Sequence, residues 1–539
     1  MPAARFAAIA LLILLGACTK FGTASRTIHS PDYLVRGNGI EIKSLDPHYI
    51  DGNWEAFVVG DILVGLTTDA ADGTPIPGAA TRWETSPDGK TWTFHIRDHV
   101  WSDGVPVTAE DFVFAWRRIL EPARGAPYAY YLWLIKNAKP ISEGKLPTEA
   151  LGVTARDDKT LVVELEHPAP YMLEYLLHQA VFPVPRHVVM AKGDAWARPE
   201  NYVANGPFVP KEWVPNDHLT LVKNPRFYDA ANVRLKTVIY KPTTDTLAAL
   251  KSIRAGELDT QYLIPAAEIA WMRHNIPHAL QLHPTLSVGY LVVNFQRKPF
   301  QDRRMREVLA LALDREVLCD KILRLGDVPA YHFVPPGVAN YPGGAHLDFQ
   351  SLNREQRLAK ARALMAQMGY GPNNLFHTTF DTSTTPDSKR TAAVLQSMLR
   401  AVYVDIEIVT SDGQFFYKKL QEGQFNVATS AWIGDFDDAG TFLDLLQSES
   451  GNNYGKYNSP KFDALLAKSY LTLDLKTRGE LLREAEQTAL DDVAVIPGRF
   501  LVTQDIVEPY VKGWVPNIRD FNRSRWLWID PTATPERGN

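Results

Sequence analysis

The run TWTFHIR at residues 91–97 alternates polar and apolar positions, and TLVVEL at 160–165 does so more loosely. A period of two lays one face of a half-buried strand on a core, so both segments predict strands. Between them, WSDGVPVTAEDFVFAWRRIL (101–120) changes period. Ser102-Asp103-Gly104 supplies a turn, and Thr108 with Asp111 three residues on forms a capping-box pair. Phe112, Ala115, Trp116 and Ile119 then fall at i, i+3, i+4, i+7, which predicts a helix from Thr108 with one apolar face inward. Met305, Val308, Leu309 and Ala312 repeat that spacing and predict a helix near 303–313. NGPFVPKEWVPNDHLTLVKNPRFY (205–228) reads as a hairpin turning at Pro-Asn-Asp. Helices are expected near 460–490, followed by a short apolar strand, VAVIP, at 493–497. Irregular alternation of strands and helices predicts a large α/β, or mixed α+β, protein with mixed sheets.

The first 18 residues, MPAARFAAIALLILLGAC, do not belong to that pattern. Arg5 precedes an apolar run from Phe6 to Leu15, too short for a mature membrane span and matched to a secretory h-region. Leu15-Gly16-Ala17-Cys18 resembles the bacterial lipobox, in which the cysteine is acylated and becomes the new N-terminus. The chain is therefore expected to be exported and lipid-anchored through Cys18 to a cell-envelope membrane in the periplasm, its body staying soluble. Residues 23–31 read as a tether. Only one other cysteine occurs, Cys319, in an apolar helical stretch that predicts a buried free thiol. A length of 539 residues exceeds what one core serves, so two or more domains follow. A net charge of −5 gives no electrostatic reason for nucleic-acid binding.

Catalytic signatures are missing: no G-x-S-x-G, H-E-x-x-H, Walker loop or helix-opening G-x-G-x-x-G. His95 and His99 lack partners at zinc spacing and are assigned structural or surface roles. The densest acidic stretch, AWIGDFDDAGTF (431–442), carries Asp435, Asp437 and Asp438 between aromatics. As a calcium loop it fails, because Ala439 and Leu446 occupy two ligand positions. Asp437 and Asp438 are expected to serve the turn and the helix after it.

Seven blocks carry a resemblance: SLDPHYIDG (44–52), WSDGVPVTAEDFVFAWRRIL (101–120), APYAYYL (126–132), NGPF (205–208), ALDREVL (312–318), SAWIGDFDDAGTFLDLL (430–446) and NNYGKYNSPKFDALL (452–466). In this order and spacing the chain resembles the large extracytoplasmic solute-binding proteins of peptide ABC transporters, close to the oligopeptide-binding proteins. The resemblance implies a two-lobed periplasmic-binding-protein architecture, hinged by two crossing strands, with an inserted domain. Lobe I would comprise 19–63, 189–287 and 503–539, the inserted domain 64–188, and lobe II 288–502. Closure over a ligand would be the population shift a permease reads.

The resemblance also implies site residues. Asp435 matches the buried aspartate that receives a peptide's α-ammonium, a cation needing a fixed carboxylate if it is to be buried. Asp51-Gly52-Asn53 and Ala431-Trp432-Ile433 match segments that hold an extended peptide by main-chain hydrogen bonds. Tyr128 and Trp432 match pocket aromatics beside hydrated side-chain pockets. Two departures stand out. Leu420 and Thr429 occupy the places of arginines that pair with ligand carboxylates. Arg499 replaces part of a tyrosine-rich run, so Arg499, Lys418 or Lys419 is expected to receive the carboxylate. The expected ligand is an oligopeptide or a peptide-like, amine-bearing solute delivered to ABC transporter permease subunits. The receptor would be a monomer with no cofactor, no metal and no catalysis. Alternatives are a receptor for murein peptide, a metal chelate or haem, and, from another class, a secreted hydrolase using Asp435–Asp438.

Overall fold

In the computed structural model, residues 30–536 and 538 are described; the leader, the tether up to residue 29 and Cys18 lie outside the described residues. Strands sort into sheets by which parts of the chain they come from. A seven-stranded sheet runs Leu280–Gln281, Asp505–Val507, Thr260–Tyr262, Tyr33–Gly37, Thr237–Lys241, His218–Lys223, Phe208–Val214. It therefore joins segments from near both ends of the chain. A six-stranded sheet runs Val328–Pro329, Ile496–Val502, Pro284–Val293, Val427–Ile433, Phe376–Ser383, Val404–Ser411. A four-stranded sheet contains Ala80–Thr85, Thr91–Ile96, Thr160–Glu164 and Val153–Asp157. The chain passes between the two large sheets at two adjacent places, near 282–286 and 502–505. There the Thr503 amide donates to the His283 carbonyl at 2.7 Å.

Local chemistry explains the elements that frame the site. Thr91–Ile96 alternates half-buried and buried residues, as its period of two requires. The helix Ala109–Ile119 starts after Thr108, whose amide is received by Asp111 at 2.9 Å, and buries Phe112, Ala115, Trp116 and Ile119. Asp302 caps Arg303–Ala312 by accepting the Arg304 amide at 2.9 Å. The hairpin Phe208–Val214 and His218–Lys223 turns at 215–217. Cys319 is a buried free thiol, and burial pushes it up to about 12. His95 meets Glu84 at 3.2 Å. His99 is buried, and that burial lowers it to about 4.

The strand expected at 493–497 begins later, at Ile496, and runs on to Val502. Val493 adopts a left-handed φ of 49°, and the Val493 and Ala494 amides return to Leu490 and Ala489 carbonyls at 3.0 and 2.8 Å. The apolar residues 493–495 thus seal the end of the helix Leu475–Asp491 before the strand starts. The shift matters, because it places Arg499 inside the strand.

Candidate functional site

The strand Val427–Ile433 pairs along its whole length with Pro284–Val293, from Val427 opposite Val293 to Ile433 opposite Ser287. Its other edge is different. The parallel neighbour Phe376–Ser383 meets it only at Val427 and Ala428. Beyond that point Thr382 and Ser383 stay with Thr410 and Ser411 on the far side. The last link is a 2.9 Å hydrogen bond between the Thr382 and Thr429 hydroxyls. Among the described residues, Thr429–Ile433 therefore has no strand on that edge. A free edge is a row of unpaired amides and carbonyls, a template for another strand. Ala431 and Ile433 are exposed, Ile433 by 56%.

Two cavities flank this edge. One, of about 240 Å³, is lined by Asp51, Asn53, Tyr128, Ile433, Asp435 and Arg519 among others. The second, of about 420 Å³, is lined by Gly289, Tyr290, Tyr417, Thr429, Ala431 and Arg499 among others. The structure thus brings five of the expected residues, Asp51, Asn53, Tyr128, Ile433 and Asp435, to one cavity. Ala431 and Arg499 come to the other. Trp432 reaches neither. Strand alternation sends its half-buried ring to the opposite face, against the core, where Nε1 donates to the Thr441 hydroxyl at 3.4 Å.

Asp435 is fixed through its backbone, whose amide donates to the Thr441 hydroxyl at 3.1 Å. Burial raises its carboxyl to about 7; the Tyr130 hydroxyl bonds it and opposes that rise, while nearby Asp444 adds to it. Tyr130 was not anticipated from sequence, although it stands two residues beyond Tyr128 in APYAYYL. Across the cavity, Asp51 is ion-paired with Lys43. The other two carboxylates of the acidic stretch point elsewhere. Asp437 accepts the Ala339 amide at 2.8 Å. Asp438 accepts the Gly440 amide at 2.8 Å, at the start of the short helix Gly440–Leu443, and forms a buried two-pronged pair with Arg478 at 2.5 and 2.8 Å. Three carboxylates in four positions face three different partners, not one common point.

The cations near the other cavity are already paired. Arg499 is ion-paired with the buried Asp327, whose carboxyl is pushed up by burial and held back by that guanidinium. The arginine stem lies over Gly289, where a Cβ would come within 3.2 Å of Cγ. Lys419 is paired with Asp381, and Lys418 faces Glu422 at 3.9 Å. Leu420 is buried in the core.

The site is thus a cleft between two sheet-based bodies, with an open strand edge and a recessed carboxylate. Residues 74–454 match the family model of bacterial extracellular solute-binding proteins, family 5, and the chain belongs to that family. It is 36% identical to the periplasmic oligopeptide-binding protein OppA of Salmonella typhimurium, over 89% of each chain. The crystal structure of Haemophilus influenzae OppA in complex with RPPGFSPFR superposes with a TM-score of 0.78 at 33% identity, covering 92% of this chain and 99% of that one. The Escherichia coli murein tripeptide-binding protein MppA gives a TM-score of 0.80 at 32% identity, over 92% and 98%. The architecture is that of two-lobed periplasmic binding proteins.

Proposed function

We propose that this protein is the receptor of an ABC importer, binding a peptide or peptide-like amine as an added strand on Thr429–Ile433 with its α-ammonium at Asp435. The observation that carries the reading is the open edge itself. It passes from one cavity to the other and ends two residues before a carboxylate whose only hydrogen-bonding side chain is a tyrosine among the described residues. Main-chain pairing supplies affinity without regard to side chains, and an ammonium restores the charge balance that burial of Asp435 disturbs. The family relatives that bind oligopeptides or murein peptides support the same ligand class.

In this reading Asp51, Asn53 and Tyr128 close the amine end from the opposite side, and the Ala431–Ile433 main chain holds the backbone. Arg499, with Lys418 and Lys419 behind it, receives the carboxylate by sharing its guanidinium with Asp327. Lobe I (19–63, 189–287, 503–539) carries the inserted domain (64–188) and swings against lobe II (288–502) about the paired segments near 283 and 503. Phe436, next to Asp435, stacks on Tyr171 of the inserted domain with ring centroids 5.0 Å apart, so ammonium capture and closure share one segment. Acylation at Cys18 would hold the receptor at the membrane of its permease. It performs no chemistry. Native mass spectrometry of the purified protein tests this: a ladder of co-purifying peptide masses is the expected result. A homogeneous non-peptide mass, or peptide hydrolysis abolished by Asp435→Asn, would overturn it.

A further inference from the structure

The cavity that Asp435 lines also carries a cation, Arg519, together with Phe521 and Gln179. The other ionisable groups that could charge its walls are accounted for. Asp51 is ion-paired with Lys43, and Asp435 is assigned to the amine. His178 accepts the Ala180 amide at 3.2 Å, and burial lowers it to about 3, so its ring is neutral. Arg519 is held in place but not fully neutralised. Its Nη1 donates to the buried Asp69, and Arg523 Nε donates to the same carboxylate at 2.8 Å, so two guanidiniums share one negative charge. Both also lie over the Phe521 ring, at 5.1 and 4.8 Å from its centroid. A guanidinium has five N–H donors, and among the described residues Asp69 is the one acceptor that Arg519 has. Gln179 is 7% exposed, and its side-chain amide has no hydrogen-bonding partner among the described residues. An amide left unpaired on a cavity wall costs free energy that a polar ligand group recovers.

Building on the peptide-receptor reading, we propose that Arg519 and Gln179 form a subsite for an acidic first residue, an N-terminal Glu or Asp whose side-chain carboxylate they receive. That side chain leaves the same carbon as the α-ammonium, so an ammonium at Asp435 brings it into the same cavity. A carboxylate there is a second anion for the two guanidiniums, and an arginine fork with an amide N–H beside it suits its two oxygens. Asp69 keeps Arg523 while Arg519 is shared with the ligand. A lysine in first position brings a second cation against Arg519 and is disfavoured. Charge selection at the amine end then adds to main-chain pairing that is indifferent to side chains.

Calorimetry at neutral pH tests the proposal with tri-alanine, Glu-Ala-Ala, freshly dissolved Gln-Ala-Ala and Lys-Ala-Ala. The wild type is expected to bind Glu-Ala-Ala about tenfold or more tighter than Gln-Ala-Ala, and Lys-Ala-Ala weakest of all. The Glu-to-Gln ratio should fall to one or below in Arg519→Met, recover in part in Arg519→Lys, and shrink in Gln179→Leu. Equal affinity for the Glu and Gln peptides, in a wild-type protein that binds tri-alanine, overturns the acidic subsite and leaves the receptor reading standing. A Glu preference that survives intact in Arg519→Met overturns the assignment to Arg519. Failure of the wild type to bind any of the four peptides overturns the receptor reading, and the subsite with it.

Discussion

Substituting Asp435 by Asn removes one charge while keeping the shape and an acceptor for the Tyr130 hydroxyl. Its cost follows from the site. In the empty cleft burial holds the carboxyl at about 7, so near neutrality about half the molecules carry a proton there. An incoming α-ammonium requires the ionised form, and affinity should fall by up to about tenfold per pH unit below 7. Above about pH 8 it should fall again as the peptide amine, with its ordinary value near 7.7–8.0, loses its proton. Between these limits, losing one partner of a sequestered ammonium–carboxylate pair costs about 2–4 kcal/mol. That corresponds to about 30- to 1,000-fold in Kd for Asp435→Asn. Calorimetry with tri-alanine from pH 5.5 to 8.5 measures both effects, and the variant should lose the acidic limb entirely. The same shift has the opposite sign for stability. A carboxyl raised above its ordinary value of 3.8 favours the folded empty protein at low pH, and that contribution is lost as pH rises from about 4 through about 7. Empty Asp435→Asn should therefore melt above the wild type at pH 8 and level with it at pH 4. A variant that binds within about threefold of wild type, or keeps the acidic limb, refutes this assignment of Asp435.

Other substitutions probe other parts of the account. Arg478→Ala leaves the buried Asp438 carboxylate unpaired and should cost about 3–5 kcal/mol in urea unfolding, against under 1 if the pair were solvated. Phe436→Ala removes the ring that stacks on Tyr171 and meets Tyr131 and Tyr175 edge-on. It should weaken peptide binding about tenfold and enlarge the radius of gyration of the liganded protein, as small-angle scattering would show. Arg499→Ala should abolish any preference for free-acid over amidated peptides; a preserved preference would place the carboxylate elsewhere.

Much of this was legible in the residues. Period-two and helical spacing located Thr91–Ile96, Ala109–Ile119 and Arg303–Ala312 because each depends on local contacts and its own caps. Asp435, Asp51, Asn53, Tyr128 and Ile433 could be named together through the blocks they sit in, and they share one cavity. What escaped depends on residues far apart in the chain. The free edge at Thr429–Ile433 exists because a neighbouring strand diverges, which no local pattern encodes. Arg499 finds Asp327 across 172 positions, and Asp438 finds Arg478 across 40. The orientation of Trp432 was in principle readable. If Ala431 and Ile433 face the cleft, alternation turns Trp432 away. Tyr130 is one of three tyrosines in APYAYYL, and which of them meets Asp435, about 300 residues on, is set by the fold and not by any local pattern.

The central claim is that a peptide completes the sheet at Thr429–Ile433 with its amine against Asp435. A crystal structure of the complex with tri-alanine tests it most directly. The account predicts the peptide main chain hydrogen-bonded along that edge, with its ammonium nitrogen about 2.8 Å from an Asp435 carboxylate oxygen. A peptide lying elsewhere in the cleft, or one whose amine faces solvent while Asp435 keeps only Tyr130, would contradict it.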